Sequence, residues 1–226
     1  MNGTVTKVIQ HTHDVKSIFL KTEKKIDFIP GQFMMVGSVI NGKLIKRAYS
    51  LCNAPSDEIL EICVRIVDGG ALSPVLFSIN ENDEVNLEGP YGNFKLDPQL
   101  KEAVLIGAGT GIAPLICMLR HSKNHGWKTH FTLVYAIRNP GSILYEKELY
   151  QLAKSENVKF YPVIQDTSID WNGLKGRISQ DMLVKIIANK HQIYYLCGPP
   201  VMIKSVEEIL RMMGVEKPFV KTDKWD

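Results

Sequence analysis

The stretch Gly107-Ala108-Gly109-Thr110-Gly111-Ile112-Ala113-Pro114 constrains this chain more than any other. It follows an apolar run, Ala103-Val104-Leu105-Ile106, with the length and composition of a buried parallel strand. It precedes Leu115-Ile116-Cys117-Met118-Leu119-Arg120, which has the pattern of a helix. Strand, glycine turn, helix is the geometry that turns backbone N–H groups towards a phosphate. Glycine lets the backbone approach closely, and a helix N-terminus carries partial positive charge. Thr110 adds a hydroxyl at the turn, and Pro114 sits where a first-turn proline forfeits no hydrogen bond. A tight turn that binds nothing has the same local sequence, so the stretch on its own is a weak signal for a ligand.

What surrounds this stretch divides the chain in two. Residues 1–97 read as all-β, with strands expected over 4–10, 15–21, 32–36, 46–52, 59–66 and 84–88. Pro30-Gly31, Asn41-Gly42, Asp68-Gly69-Gly70, Asn82-Asp83 and Gly89-Pro90-Tyr91-Gly92 separate them. That spacing suits a small antiparallel barrel, interrupted by one short helix over 72–79. From Pro98 apolar runs alternate with helical patterns. Strands are expected over 104–106, 131–136, 158–164, 193–196 and 219–221, and helices over 115–123, 145–155, 179–188 and 203–213. The expected fold is therefore a two-domain one: an antiparallel β-barrel over 1–97 and a doubly wound α/β domain with a parallel sheet over 98–226.

Charge is uneven. Residues 1–97 carry 10 basic and 12 acidic side chains, and residues 98–226 carry 17 and 12. A basic second half suits a phosphate-bearing cofactor or an acidic protein partner. No aromatic–basic interleaving points to nucleic acid. Cys52, Cys63, Cys117 and Cys197 are far apart, so neither a zinc site nor a cysteine-ligated cluster is expected, and no metal is assigned. No apolar run approaches a membrane span and no leader pattern opens the chain, so a cytoplasmic protein is expected.

Several residues could contact a ligand. Arg47-Ala48-Tyr49-Ser50 lies on an expected strand. Arg47 can fork to a pyrophosphate, Tyr49 offers a flat face, and Ser50 a short donor and acceptor. A strand with one inward tyrosine gives the same pattern. Gly70-Ala71-Leu72-Ser73 opens the lone helix of the first domain, as a second phosphate cradle or an ordinary capped helix. Cys197-Gly198-Pro199-Pro200 follows a strand at the carboxyl edge of the sheet, where such folds bind ligands. A buried inert cysteine is the plainer reading. Arg138 and Asp166 follow two other strands at that edge, as ligand contacts or as solvated loop charges.

Taken in order, these motifs resemble the ferredoxin–NADP reductase family over nearly the whole chain. Arg47-x-Tyr49-Ser50 resembles its flavin motif and Gly70-x-x-Ser73 its second pyrophosphate motif. Gly89-Pro90-Tyr91-Gly92-x-Phe94 resembles its interdomain segment. Gly107-x-Gly109-Thr110-Gly111 resembles its nicotinamide-side loop, and Cys197-Gly198-Pro199-Pro200 its cysteine turn. Trp171-x-Gly173-x-x-Gly176-Arg177 resembles a further family segment. The resemblance implies an NAD(P)H-dependent flavoprotein reductase. Arg47 and Ser73 would hold the FAD pyrophosphate, Tyr49 would stack on the isoalloxazine, and Ser50 would lie near flavin N5. The backbone of Val64-Arg65-Ile66 would border FAD, and Cys197 would lie near the nicotinamide. Trp225 is a candidate for the aromatic cover that many relatives place over the flavin.

Relatives that use NADPH often carry Ser-Arg after the third strand of the second domain. This chain has Gln165-Asp166-Thr167 there, which favours NADH, although Lys175 and Arg177 follow closely. The implied partner is a one-electron acceptor protein such as a ferredoxin or an oxygenase component. A free-flavin reductase, or a non-catalytic electron-transfer or NADH-sensing subunit of a larger complex, stays open.

Overall fold

The computed structural model describes residues 1–224 and forms two compact units. The first comprises Met1–Leu96 together with Ile116–Asn124. Its strands are β1 (Asn2–Thr12), β2 (Val15–Thr22), β3 (Phe33–Ile40), β4 (Lys43–Ser50), β5 (Leu60–Arg65) and, after the short helix α1 (Ser73–Phe77), β6 (Glu84–Tyr91). They form one antiparallel sheet in the order β4-β3-β6-β1-β2-β5. The two edge strands meet where Leu51 bridges Ile62 and the Cys52 N–H donates to the Glu61 carbonyl at 2.8 Å. That meeting closes the sheet into the expected barrel. Val5, Ile18, Leu20, Met34, Val36, Ile62, Val85 and Leu87 fill the interior with Leu72 and Leu76 from the α1 region.

The hairpin between β3 and β4 shows why local chemistry sets register. Ile40 pairs with Lys43, leaving Asn41 (φ 50°) and Gly42 (φ 74°) as a two-residue loop. Positive φ at both positions is the turn whose twist matches the strands, and Asn-Gly is the pair that tolerates it.

The second unit comprises Asp97–Leu115 and His125–Asp226. β7 (Glu102–Ala108) runs through a 3₁₀ turn at Gly109–Gly111 into α2 (Ile112–Asn124). There follow β8 (His130–Ile137), α3 (Glu146–Leu152), β9 (Val158–Ile164), β10 (Leu174–Lys175), α4 (Gln180–Ile186), β11 (Ile193–Gly198), α5 (Pro200–Met212) and β12 (Val220–Lys224). All pairings are parallel, in the order β10-β9-β8-β7-β11-β12. Val104, Ile106, Val134 and Leu196 of the sheet pack on Ile203, Val206 and Leu210 of α5.

Helix ends differ from expectation more than strand cores do. α2 begins at Ile112, three residues before the expected start, because the 3₁₀ turn leads straight into it. α5 begins at Pro200, since proline suits a first helical turn. α4 begins at Gln180, where the Ser179 hydroxyl accepts the Met182 N–H at 3.3 Å as an N-cap. One sequence boundary does not describe α2, whose Ile116–Asn124 portion packs in the first unit. Cys117 there is fully buried in the barrel's core cluster, and its thiol pKa is pushed up to about 12 by burial. Among the described residues no helix is long and apolar enough to cross a membrane.

Candidate cofactor sites

In the first unit the feature that stands out is an opening in the barrel wall. Among the described residues, the pairing between the β4 and β5 edges is the bridge of Leu51, just past β4, to Ile62, with the adjoining Cys52–Glu61 bond. Continued antiparallel, that register would set Tyr49 opposite Val64 and Arg47 opposite Ile66. Among the described residues no such ladder forms. The backbone edges of 47–50 and 63–66 therefore border a notch, with no ladder among the described residues running between them. The residues expected around a flavin thus lie on its two sides: Arg47, Ala48, Tyr49 and Ser50 on β4, and Val64, Arg65 and Ile66 at the end of β5 and just past it.

Side chains alternate along β4, so Arg47 and Tyr49 share one face and Ala48 and Ser50 the other. Arg47 is exposed and donates Nη1–H to the Lys46 carbonyl at 2.8 Å. Tyr49 is half-buried and packs on the barrel core. Burial pushes its phenol up to about 12, against the nearby Arg47 charge, so the ring stays neutral. Val64 is buried, whereas Arg65 is exposed and its Nε lies 3.3 Å from Asp14 Oδ2.

The loop before α1 is tighter than the sequence implies. The Gly70 N–H donates to the Val67 carbonyl at 2.9 Å, so this amide is already used. The Ser73 hydroxyl accepts the Val67 N–H at 3.0 Å and keeps its own proton to donate. A Cβ on Gly70 would stand 2.9 Å from both Ser73 Oγ and the Val67 carbonyl oxygen, so only glycine fits without a shift. Ala71 is exposed, and Leu72 is buried in the core.

In the second unit, β7 lies between β8 and β11. The chain leaves β7 to one side and later returns to the other, which makes the carboxyl ends of β7 and β11 the topological switch point where such sheets bind ligands. Gly107, Gly109, Thr110 and Gly111 come from one strand end, and Cys197, Gly198 and Pro199 from the other. The two approach very closely: a Cβ on Gly111 would stand 2.2 Å from the Cys197 carbonyl oxygen and 3.0 Å from Gly198 Cα. Gly198 has φ 153°, and its Cβ would meet Met202 Cε at 2.7 Å. The Tyr135 hydroxyl donates to the Gly109 carbonyl at 2.8 Å, which anchors the turn to β8.

Cys197 is fully buried. Its Sγ lies 3.8 Å from Asp223 Oδ2, on the paired strand β12. Arg138 and Asp166 follow β8 and β9 at the same edge and are joined directly, the Asp166 N–H donating to the Arg138 carbonyl at 3.0 Å. Asp166 Oδ1 accepts the Ser168 hydroxyl at 2.6 Å and the Ser168 N–H at 3.0 Å. Those bonds, with the Arg138 charge, hold the carboxyl below its usual range, so it is ionised at neutral pH. The unforeseen two-residue strand β10 sets Lys175 beside Ile164, which brings its backbone to the same strand end. Trp225 lies outside the described residues.

Two families of domains match this chain. The oxidoreductase FAD-binding domain matches residues 2–96, and the oxidoreductase NAD-binding domain matches residues 105–208. The flavodoxin/ferredoxin–NADP reductase of Buchnera aphidicola is 32% identical, over 81% of this chain and 79% of its own. The chain belongs to the ferredoxin–NADP reductase family. The sulfhydrogenase 1 subunit gamma of Pyrococcus furiosus is 33% identical, over 93% of this chain and 74% of its own. A ferredoxin–NAD(P)(+) reductase component of naphthalene 1,2-dioxygenase/salicylate 5-hydroxylase systems from a Ralstonia species is 28% identical, over 99% and 68%. In fold, the FAD/NAD-binding domain of a Vibrio cholerae nitric oxide dioxygenase superposes with a TM-score of 0.90 at 24% identity, covering 99% of this chain and 98% of that one.

This member of the reductase family is an FAD- and NAD(P)-binding oxidoreductase that transfers electrons. Its own residues fit both groups. The strand edges that do not pair at the notch would face FAD, beside the exposed guanidinium of Arg47. At the switch point, Gly111 and Gly198 let the glycine turn and the end of β11 close on one another, which sets the backbone that would face a dinucleotide. Sequence reasoning passed over Asp223, because nothing in a short terminal strand marks one carboxylate as lying beside Cys197.

Proposed function

We propose that this reductase takes a hydride from NADH and hands electrons singly to a protein acceptor, a ferredoxin-like carrier or an oxygenase component, in the cytoplasm. The observation that carries the reading is the presence, in one chain, of a notched barrel edge and a glycine-built switch point. Bound FAD supplies the exchange between a two-electron hydride and carriers that accept one electron at a time.

The chain's residues then divide the work. Arg47 forks to the pyrophosphate, and Ser73 donates its remaining hydroxyl proton to it. The backbone N–H groups of Ala71 and Leu72, next to Gly70, face the same phosphates. Tyr49, kept neutral by burial, presents its ring to the isoalloxazine, and Ser50 stands near N5. The backbone of Val64, Arg65 and Ile66 lines the opposite edge, and Ala48 lies between the two β4 contacts. In the second unit, Gly107, Gly109, Thr110 and Gly111 admit the dinucleotide phosphates, while Cys197, Gly198 and Pro199 border the nicotinamide. Asp223 accepts the hydrogen bond of the thiol and so fixes how the Cys197 sulfur points. The ionised Asp166 accepts a ribose hydroxyl and repels a 2′-phosphate, with Arg138 alongside. Trp225 keeps its role as a proposed flavin cover.

The purified protein should be yellow and should bleach on anaerobic addition of NADH. A colourless preparation that reduces added flavin would instead make it a free-flavin reductase. The specificity constant should be higher for NADH than for NADPH, and Asp166→Ser should narrow the ratio; a wild type that favours NADPH refutes the assignment of Asp166. The likeness to a sulfhydrogenase gamma subunit supports a second reading, a relay subunit of a larger complex. That reading expects a yellow protein that turns over slowly with ferricyanide.

A further inference from the structure

The glycine turn after β7 is held from a neighbouring strand by one buried side chain, Tyr135 of β8. Tyr135 pairs directly with Gly107 of β7. Directly paired residues put their side chains on the same face of a sheet. That is the face over which the turn folds, since a Cβ on Gly107 would stand 2.9 Å from Leu115 Cδ1 and 3.5 Å from the Gly111 carbonyl oxygen. Tyr135 is fully buried there, and its hydroxyl donates to the Gly109 carbonyl at 2.8 Å. In a low-dielectric interior such a bond is stronger than in water.

The carbonyl does not need that bond in order to be satisfied. The Ile112 N–H already donates to it, closing the 3₁₀ turn. A carbonyl oxygen has two lone pairs, and Tyr135 takes up the second. What the hydroxyl adds is therefore direction. Gly109 has φ 54°, in the left-handed region that glycine enters freely, so its own sterics restrain the next peptide little. That peptide is planar and trans, which sets its N–H opposite to its C=O. The C=O belongs to Gly109 and the N–H to Thr110. A hydroxyl that holds the Gly109 carbonyl therefore turns the Thr110 N–H away from the tyrosine. Thr110 is the second residue of the 3₁₀ turn, where an N–H has no acceptor within the helix.

We propose that Tyr135 is a positioning residue for the dinucleotide: its hydroxyl fixes the Gly109–Thr110 peptide so that the Thr110 N–H donates to the pyrophosphate. The proposal rests on the reading of the switch point as the NAD(P) site. Tyr135 itself touches no part of the cofactor. Its bond is made before any ligand arrives, so the amide is oriented in advance and binding does not have to reorder it. The effect belongs to the pyrophosphate. It is shared by every ligand that carries one, and it does not act on the hydride step.

The test uses the FAD-loaded protein and Tyr135→Phe, which deletes the hydroxyl and keeps the ring. The probe is ADP-ribose, which carries the pyrophosphate but no nicotinamide. Calorimetry gives its affinity, and the amide NMR signal of Thr110 reports whether that N–H meets the ligand. In the wild type the Thr110 signal should move on addition of ADP-ribose. In Tyr135→Phe the affinity for ADP-ribose should fall roughly three- to tenfold, and the Thr110 shift at saturation should shrink. The KM for NADH, with ferricyanide as acceptor, should rise by a similar factor. Flavin content and the rate of flavin reduction at saturating NADH should stay at wild-type values. Melting should drop by only a few degrees, because the Ile112 N–H keeps the Gly109 carbonyl paired. Wild-type ADP-ribose affinity in Tyr135→Phe overturns the positioning role and leaves the site reading intact, whether the melting temperature falls or the limiting reduction rate does. Weaker binding with an undiminished Thr110 shift overturns the route through that amide. A wild type that fails to bind ADP-ribose, or binds it without moving the Thr110 signal, overturns the site reading and the proposal with it.

Discussion

Gly111→Ala adds one methyl group at the point where the glycine turn meets the end of β11. The new Cβ would stand 2.2 Å from the Cys197 carbonyl oxygen and 2.6 Å from its carbonyl carbon. Real Cβ contacts essentially never fall under 3.0 Å, so turn and strand end must part by at least about 0.8 Å. β11 cannot yield freely, because it is hydrogen-bonded to β7 on one side and β12 on the other. Gly111 has an ordinary φ, so the cost is steric only. Overpacking of this kind costs about 1–3 kcal/mol. For a chain of this size that lowers the melting temperature by roughly 2–12 °C. A displacement of about 1 Å also costs up to about 100-fold in the hydride step. Differential scanning fluorimetry and stopped-flow flavin reduction at saturating NADH measure the two effects, and flavin content checks that the barrel is untouched. Gly141→Ala is the control: its nearest neighbour is Asn139 Oδ1 at 3.5 Å, and it should stay within about 0.5 kcal/mol of wild type. A Gly111→Ala protein that melts and reduces its flavin like wild type refutes the close approach and the site built on it.

Three further substitutions probe the same geometry. Arg47→Ala removes a charge-assisted fork of about 1.5–3 kcal/mol, so FAD affinity should fall roughly 10- to 150-fold, read by fluorescence titration; equal FMN and FAD affinity in the wild type would contradict a pyrophosphate contact. Cys197→Ser keeps the volume and the bond to Asp223, so melting and FAD content should survive while flavin reduction slows, by up to about 100-fold; a destabilised protein with the wild-type rate makes Cys197 a core residue only. Burial raises the Asp14 carboxyl, but the Thr12 hydroxyl, Arg65 and His13 more than offset it, and the net pKa is lowered. Its contribution is therefore present above the unfolded value of about 3.9 and lost as pH falls through the folded one. The melting curves of wild type and Asp14→Asn should differ at pH 7 and converge in acid, and a constant gap down to about pH 2 would show that no titration is involved.

Local signals were legible where short-range chemistry decides the outcome. Asn41-Gly42 forces one turn type, and the run into Gly107–Gly111 admits one strand–turn–helix. Sequence patterns are silent where a residue's partner lies far along the chain. Arg120 looks like a helix-surface charge in sequence. In the fold its Nη1 contacts Glu61 Oε2 at 2.5 Å and the Cys52 carbonyl at 2.9 Å, while Glu61 Oε1 accepts the Ser17 hydroxyl at 2.7 Å. A carboxylate 2% exposed is tolerable only with such partners, and no periodicity announces them. β10 escaped notice because two residues carry no alternation to detect. The Gly70–Ser73 cradle was legible as a motif, but not that the Gly70 amide is already spent on Val67.

The proposed contacts in both units fall largely on main chain, and this explains a pattern in the comparisons. Relatives at 28–33% identity align over 81–99% of the chain. A notch made of strand edges needs β4 and β5 to diverge, which depends on where their single bridge falls. A switch-point turn that closes on the end of β11 needs the absence of a side chain at Gly111 and Gly198. Neither requirement reads the identity of neighbouring residues, so most of the sequence is free to drift. The side chain proposed to carry information is Asp166, at one strand end. Specificity for the dinucleotide should therefore change by few substitutions there. Transplanting a Ser-Arg pair onto 166–167 should shift nucleotide preference towards NADPH without altering flavin content or melting temperature. Steady-state kinetics with both nucleotides measures the shift, and an unchanged preference would show that another group reads the 2′-phosphate and that this division of labour is wrong.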